Sequence, residues 1–208
     1  MFAKVRIIPT FKRMQDFIFY FKTGWDHIIS LSATDHLYFI AVLSIIYQMT
    51  DWKRVLVLVT AFTIGHAITL YLSALDVIRF SVEWVEFLIP CTIVFTAAKN
   101  LIISDKTPMG SRIQYGMALC FGLIHGMGYA NFIRMMLSTD QQLVWSLFSF
   151  NIGLEIGQIF VVLVVLLISW ILHRYKIISQ RLWIMLFSMI ILGLSLYMSY
   201  QRIPFFNK

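Results

Sequence analysis

Residues 121–130 read FGLIHGMGYA and lie at the centre of an apolar run from about 112 to 137. Gly122, Gly126 and Gly128 surround His125, and so many glycines loosen a helix and let a second backbone come close. A titratable side chain in hydrocarbon costs roughly 2.5–3.5 kcal/mol on insertion scales, so it usually marks a functional site. We therefore predict a membrane-spanning helix whose glycine-rich centre carries a functional histidine.

Apolar runs of this kind recur along the whole chain of 208 residues, which is 60% hydrophobic and only 13% charged, with a mean hydropathy of +0.80. An average soluble domain is about 45–50% apolar and about 25% charged. A spanning helix needs about 20 mainly apolar residues, and backbone groups in lipid must be paired within the helix. The sequence predicts an all-α, polytopic integral membrane helical bundle, residues 1–208 forming one domain, with six spans at about 34–50, 54–75, 83–103, 112–137, 142–172 and 182–201.

Residues 1–30 are less apolar, and residues 8–20 mix basic and acidic side chains with phenylalanines. This pattern is typical of an amphipathic helix that lies in the membrane interface. The net charge of +7 comes mostly from the connections between spans, which matches the charge bias of membrane proteins and not a nucleic-acid-binding surface. The connections after odd-numbered spans are the more basic ones, which predicts that they are cytoplasmic and that both termini lie outside the cytoplasm. The basic N-terminal segment predicts the opposite orientation.

Asp35 and His36 begin the first span, and His27 precedes them by a short segment. An acidic neighbour can orient an imidazole and raise its basicity. His27 and His36 are nine positions apart, which on a continuous helix places them on opposite sides. They act together only if the chain breaks between them, and the hydroxyl residues at 30, 32 and 34 are compatible with a break. Alternatively, His27 is an interfacial residue and Asp35 caps a helix.

Other polar residues share single faces of the predicted spans. His66 lies near the middle of the second span with Thr63 and Thr69, and the fifth span carries a carboxylate between two amides. Imidazole and carboxylate without a cysteine cluster are the donors that hold a borderline divalent metal. The candidate metal ligands are His27, Asp35, His36, His66, His125 and Glu155, and the supporting polar residues are Thr63, Thr69, Glu86, Asn151 and Gln158.

These residues fall in ordered motifs: G-x-x-H and D-H within 24–36, F-T-x-x-H-x-x-T-L at 62–70, F-G-L-I-H-G-x-G-x-A at 121–130 and F-N-I-G-L-E-I-G-Q at 150–158. Over about residues 20–170 the chain resembles the HupE/UreJ family of membrane proteins. The resemblance implies about six spans and a secondary permease for nickel or cobalt, often linked to hydrogenase or urease maturation. It also implies that Asp35, His36, His66, His125 and Glu155 are metal-path residues. The family commonly has five residues between the first histidine and Asp-His, whereas seven separate His27 from Asp35 here.

The sequence thus predicts a permease for nickel, cobalt or zinc in the bacterial cytoplasmic (inner) membrane. Its expected partners are the lipid bilayer and the metal ion, with no nucleic acid and no organic cofactor. Two alternatives use the same residues. Three histidines and a carboxylate can hold zinc in a membrane-embedded hydrolase, and histidines that only hydrogen-bond helices together would suit a non-transporting accessory protein.

Overall fold

The computed structural model describes residues 7–30, 34–102, 111–137 and 143–204. Within these ranges it has seven α-helices: α1 (Ile7–Ile29), α2 (Thr34–Ser44), α3 (Trp52–Ala74), α4 (Val82–Ile102), α5 (Ser111–Leu137), α6 (Leu143–Arg174) and α7 (Gln180–Gln201). A 3₁₀ turn, Met49–Asp51, leads into α3. The prediction of an all-α fold is confirmed.

Four helical segments are long and apolar enough to cross a membrane by length and composition: Met49–Ala74, α4, α6 and α7. The other helices differ from the uniform spans predicted. α2 has 11 residues and rises only about 16 Å, which is half the thickness of a hydrocarbon core. α5 has 27 residues, enough to span, but its glycines, His125 and Arg112 lower its hydropathy. The described ranges therefore form a helical bundle with four candidate membrane spans, as expected of an integral membrane protein.

The helix predicted over 34–50 ends early, at Ser44, which corrects the boundary. The Ser44 hydroxyl donates to the carbonyl oxygens of Ile40 (2.6 Å) and Ala41 (3.2 Å), a contact that competes with continuation of the helix. Tyr47 then turns away, and its buried hydroxyl donates to Gln114 Oε1 on α5 (2.8 Å). These bonds hold the turn between α2 and α3 against the bundle.

Most of the N-terminal segment predicted to be interfacial forms α1, whose second half packs inside the bundle along α6. Residues 1–6 of that segment lie outside the described residues. Tyr20, Gly24 and Ile28 are buried. A Cβ on Gly24 would overlap the carbonyl oxygen of Phe150, and one on Gly153 would overlap that of Phe21, so the two backbones are in direct contact. An interfacial helix therefore does not describe this half of α1, because small residues bring it against a spanning helix.

α3 and α5 form a second close helix pair through the same device. A Cβ on Gly65 would overlap the carbonyl oxygen of Leu119, and one on Gly122 would overlap that of Phe62. The expected close approach of a second backbone is therefore present. The glycines were also expected to loosen the helix, but α5 is one continuous helix through His125. α4 and α7 make a third, antiparallel pair, and α2 packs between α4, α6 and α7.

Candidate metal centre

His27 and His36 meet where two helices end. His27 lies in the last turn of α1 and His36 in the first turn of α2, and their ring centroids are 4.5 Å apart. α1 ends at Ile29 and α2 begins at Thr34, so the chain has the break that their pairing requires. His27, for which the sequence left an interfacial position open, lies among the other histidines.

His66 on α3 completes a group of three. One ring nitrogen from each of His27, His36 and His66 can be chosen so that all three lie within 4.8 Å of one another. The ring of His66 is 5.9 Å from that of His27 and 6.1 Å from that of His36. Three nitrogen donors at this spacing need only small side-chain rotations to bind one ion, since metal–nitrogen bonds are about 2.0–2.1 Å long.

His125 on α5 adjoins this group through His36, with ring centroids 4.9 Å apart. The α3–α5 contact places it there: a Cβ on Gly126 would overlap the Thr69 hydroxyl and press on the His66 carbonyl. Glycine at this position lets the helix that carries His125 lie directly against the helix that carries His66. We call His27, His36, His66 and His125 the histidine cluster.

The nitrogens of the histidine cluster are buried and largely unpaired. His66 and His125 have no exposed surface and His36 is 5% exposed. Six of the ring nitrogens have no hydrogen-bond partner among the residues that the structure describes: His27 Nε2, His36 Nδ1 and Nε2, His66 Nδ1 and Nε2, and His125 Nδ1. Leaving a buried polar group unpaired costs about 1–3 kcal/mol. A buried polar group without a partner calls for an explanation, and a bound ion is one of them, so the cluster is a candidate ligand site.

Thr92 on α4 pairs with His125. Its hydroxyl donates to the carbonyl oxygen of Ile89 (2.7 Å) and also lies 3.0 Å from His125 Nε2. If the single hydroxyl hydrogen points to Ile89, the oxygen accepts from Nε2, and Nδ1 then carries the free lone pair of the neutral ring. Nδ1 has no hydrogen-bond partner among the described residues. This is the arrangement by which second-layer hydrogen bonds orient metal-bound histidines.

Aromatic rings line the cluster. Phe39 and Phe62 lie 5.0 and 5.2 Å from the His125 ring, the Phe150 ring stacks on His66 at 6.3 Å, and Tyr129 lies 4.1 Å from His27. The three phenylalanines are fully or almost fully buried. They exclude water, and in the resulting low dielectric each electrostatic interaction with a bound ion is stronger than in water.

The two candidate carboxylates have other partners. Asp35 Oδ2 accepts from Arg202 Nη1 (2.6 Å), and Glu155 Oε1 accepts from the Thr60 hydroxyl (2.6 Å). Neither belongs to the compact group of histidine donors found in the described ranges. Thr60 is six residues before His66 and hence about 120° away around α3, so a side chain bonded to Thr60 faces away from the cluster. Among the described residues, Glu155 therefore does not join the histidines as a candidate ligand.

The supporting polar residues mostly make helix contacts. Thr63 donates to Gln158 Oε1 (3.0 Å) and so joins α3 to α6. Two others bond within their own helices: Thr69 donates to the carbonyl oxygens of Gly65 and His66, and Asn151 donates to that of Leu147. The backbone carbonyl of Glu86 lies 3.5 Å from Arg202 Nη1. Of these bonds by the supporting side chains, the one between Thr63 and Gln158 joins two helices beside the site.

Sequence reasoning missed Thr92 and Arg202. Like the histidines, Thr92 is a polar residue in an apolar span, and Thr96 lies one turn further on. Hydroxyl groups in spans are common, however, and they ordinarily bond to their own helix, so this pattern did not single out Thr92. Arg202 follows the last span, where a basic residue ordinarily reflects membrane topology. The sequence gives no sign that it reaches back to Asp35.

Together, the fold and the cluster define an integral membrane protein with a buried intramembrane histidine site. The family description "HupE / UreJ protein" matches residues 4–202, nearly the whole chain. The chain therefore belongs to the HupE/UreJ family. Comparisons with curated proteins and with solved structures give no match.

Proposed function

We propose that this protein is a permease for a divalent transition metal, nickel or cobalt or else zinc, with the metal as its substrate. The observation that carries the proposal is the set of unpaired, buried ring nitrogens in the histidine cluster. Neutral imidazole binds borderline ions such as Ni²⁺, Co²⁺ and Zn²⁺. The metal ligands are His27, His36, His66 and His125, which come from α1, α2, α3 and α5. Membership of the HupE/UreJ family supports this assignment.

The helices make six membrane crossings in this proposal. α1 and α6 run parallel, because Phe17 contacts Trp145 and Trp25 contacts Phe160. α2 continues in the same direction. Its first turn, at Asp35, contacts Arg202 at the end of α7, and its last turn, at Val42, accepts a hydrogen bond from Asn100 near the end of α4. α1 and α2 thus form one interrupted crossing, followed by α3 to α7. The start of α1 and the end of α7 then lie on one face, which we call the terminal face, and the expected location is the bacterial cytoplasmic membrane.

Polar side chains lead from the cluster toward both faces. On the terminal side are Asp35 and Arg202. On the other side, the Thr96 hydroxyl donates to the Thr92 carbonyl (2.8 Å) and lines a cavity between α2, α4 and α5. That cavity is also lined by Tyr47, Lys99, Asn100 and Gln114. A metal released from His125 would pass along this line of hydroxyl and amide groups.

A ligand set of neutral imidazoles suits transport better than permanent retention. It replaces part of the hydration shell of the ion without cancelling its two charges, so binding is favourable but reversible, as conduction requires. The nearest carboxylate, Asp35, is neutralised by Arg202. This also counts against the hydrolase alternative, since a general base must be within hydrogen-bond reach of the metal-bound water, and both candidate carboxylates bond elsewhere.

Transport can be measured with purified protein in liposomes that contain a metal-sensitive dye. We expect the wild type to carry Ni²⁺ or Co²⁺ inward and His66→Ala to lose at least nine-tenths of the rate, because His66 is wholly buried in the cluster. His173→Ala is the matched control, since this histidine lies in the last turn of α6 and bonds to Ser169. Equal rates for wild type and His66→Ala, at equal reconstituted amounts, would contradict the proposal.

A further inference from the structure

Arg202 pairs with Asp35, the residue that precedes His36 of the histidine cluster, and nothing in the motifs above includes it. It is the residue just after α7, and its Nη1 lies 2.6 Å from Asp35 Oδ2. The side chains are 30% and 12% exposed, so the pair is partly shielded from solvent. Asp35 immediately precedes His36, and the Cα atoms of neighbouring residues are about 3.8 Å apart. The guanidinium therefore holds the carboxylate that is nearest to the site in sequence.

This pair has consequences for a cation that enters the cluster. A guanidinium keeps its charge at all physiological pH values, so Arg202 cannot be neutralised by losing a proton. While the pair is intact, Arg202 compensates the charge of Asp35, so a divalent ion in the cluster would gain no net stabilisation from this carboxylate unless Arg202 moves away. Movement would also free Asp35, whose negative charge would then stabilise the metal in a medium of low dielectric.

We propose that Arg202 is a charge gate for the histidine cluster. In the metal-free protein it neutralises Asp35 and covers the cluster on the terminal face. When a divalent cation binds, Arg202 leaves Asp35 and opens that face. This inference rests on the proposed function, because it assumes that the cluster binds a metal.

The surroundings of Arg202 suit such a movement. Its backbone lies just beyond the last helical residue, at the end of α7. Its Nη1 already lies 3.5 Å from the carbonyl oxygen of Glu86, and the Glu86 side chain is exposed in the first turns of α4. Glu86 thus offers a second carboxylate for a released guanidinium. α4 and α7 pack against each other and hold this second position close to the first.

The gate can be tested by titrating purified protein in nanodiscs with Ni²⁺. Arg202→Gln should bind Ni²⁺ roughly three- to tenfold more tightly than the wild type, because the competing cation is gone and Asp35 is free. Arg202→Lys should stay closer to the wild type. Arg54→Gln is the matched control, since Arg54 forms an exposed pair with Asp51 at the opposite face.

A double-mutant cycle separates a gate from a merely structural ion pair. In an Asp35→Asn background, Arg202→Gln should no longer tighten Ni²⁺ binding, since the carboxylate that it releases is missing. Loss of a structural tether would instead weaken binding or lower the melting temperature in both backgrounds. Weaker or unchanged affinity in Arg202→Gln, with Ni²⁺ bound normally by the wild type, overturns the gate and leaves the proposed function intact. Failure of the wild type to bind Ni²⁺ overturns both.

Discussion

At the scale of single residues, the most informative contact is the one between Thr92 and His125. The Thr92 oxygen lies within hydrogen-bond distance of His125 Nε2, and Nδ1 of the same ring has no partner among the described residues. In the function that we propose, the metal ion binds this second nitrogen.

Thr92→Val removes the acceptor for His125 Nε2 and keeps the shape of the side chain. We expect the affinity for Ni²⁺ to fall about 10- to 100-fold, the usual effect of losing the hydrogen bond that orients a metal-bound histidine. Thr92→Ser should retain most of the affinity. Isothermal titration of the purified variants measures this.

Thr96→Val is the control for that series, because within the described part of the chain the Thr96 hydroxyl donates to the Thr92 carbonyl and not to a histidine ring. An affinity that is unchanged in Thr92→Val, or reduced as much in Thr96→Val, would show that the hydroxyl does not position His125.

The candidate histidines were predictable from the sequence because each one is a costly polar residue in an apolar segment. Their partners were not. Asp35 could pair with a metal, cap a helix or meet a distant arginine, and the choice of Arg202, 167 residues further along the chain, depends on the tertiary fold. The same holds for Glu155, whose partner Thr60 lies on another helix.

At the scale of helices, glycines determine which elements meet. Gly24 and Gly153 bring α1 against α6, and Gly65 and Gly122 bring α3 against α5. In lipid, helices gain little from burying apolar surface, so close packing of small residues is the main source of association. These contacts place His27, His66 and His125 within reach of His36.

Gly122→Ala should destabilise the protein by about 1–3 kcal/mol through overpacking against the Phe62 carbonyl, and occasionally such changes cost more. It should also weaken Ni²⁺ binding, because α5 must move away from α3. Thermal unfolding in detergent and metal titration measure the two effects.

Gly116→Ala is the matched control in the same helix, because nothing lies within 4 Å of a Cβ at that position. It should be neutral or slightly stabilising, since alanine favours helix over glycine by about 1 kcal/mol. If both substitutions gave the same melting temperature, the close α3–α5 contact would be wrong.

Helix existence was more predictable than helix boundaries. Long apolar runs predicted α3 to α7 nearly as they are, since hydropathy reports directly on burial in lipid. The break between α1 and α2 was predicted only conditionally, for the case in which His27 and His36 act together. The early end of α2 was missed, because residues 45–50 carry no proline or glycine and the turn is fixed by contacts of Ser44 and Tyr47.

At the scale of the whole molecule, the bundle encloses one polar site between three helix pairs and the short helix α2. The four clear spans supply the scaffold. The interrupted α1–α2 segment and the glycine-rich α5 contribute three of the four histidines. These helices are not among the candidate spans that length and hydropathy identify. Transporters commonly place their substrate sites at such interrupted helices near the middle of the membrane.

The most direct test of this account is X-ray absorption spectroscopy of the purified protein loaded with Ni²⁺ in nanodiscs, combined with metal analysis. We predict one ion per chain with the scattering pattern of several imidazole rings. His125→Ala should lose one imidazole and bind more weakly, while His173→Ala should match the wild type. A wild type without bound metal, a coordination shell of oxygen alone, or a spectrum unchanged in His125→Ala would contradict the assignment of the histidine cluster as a metal site.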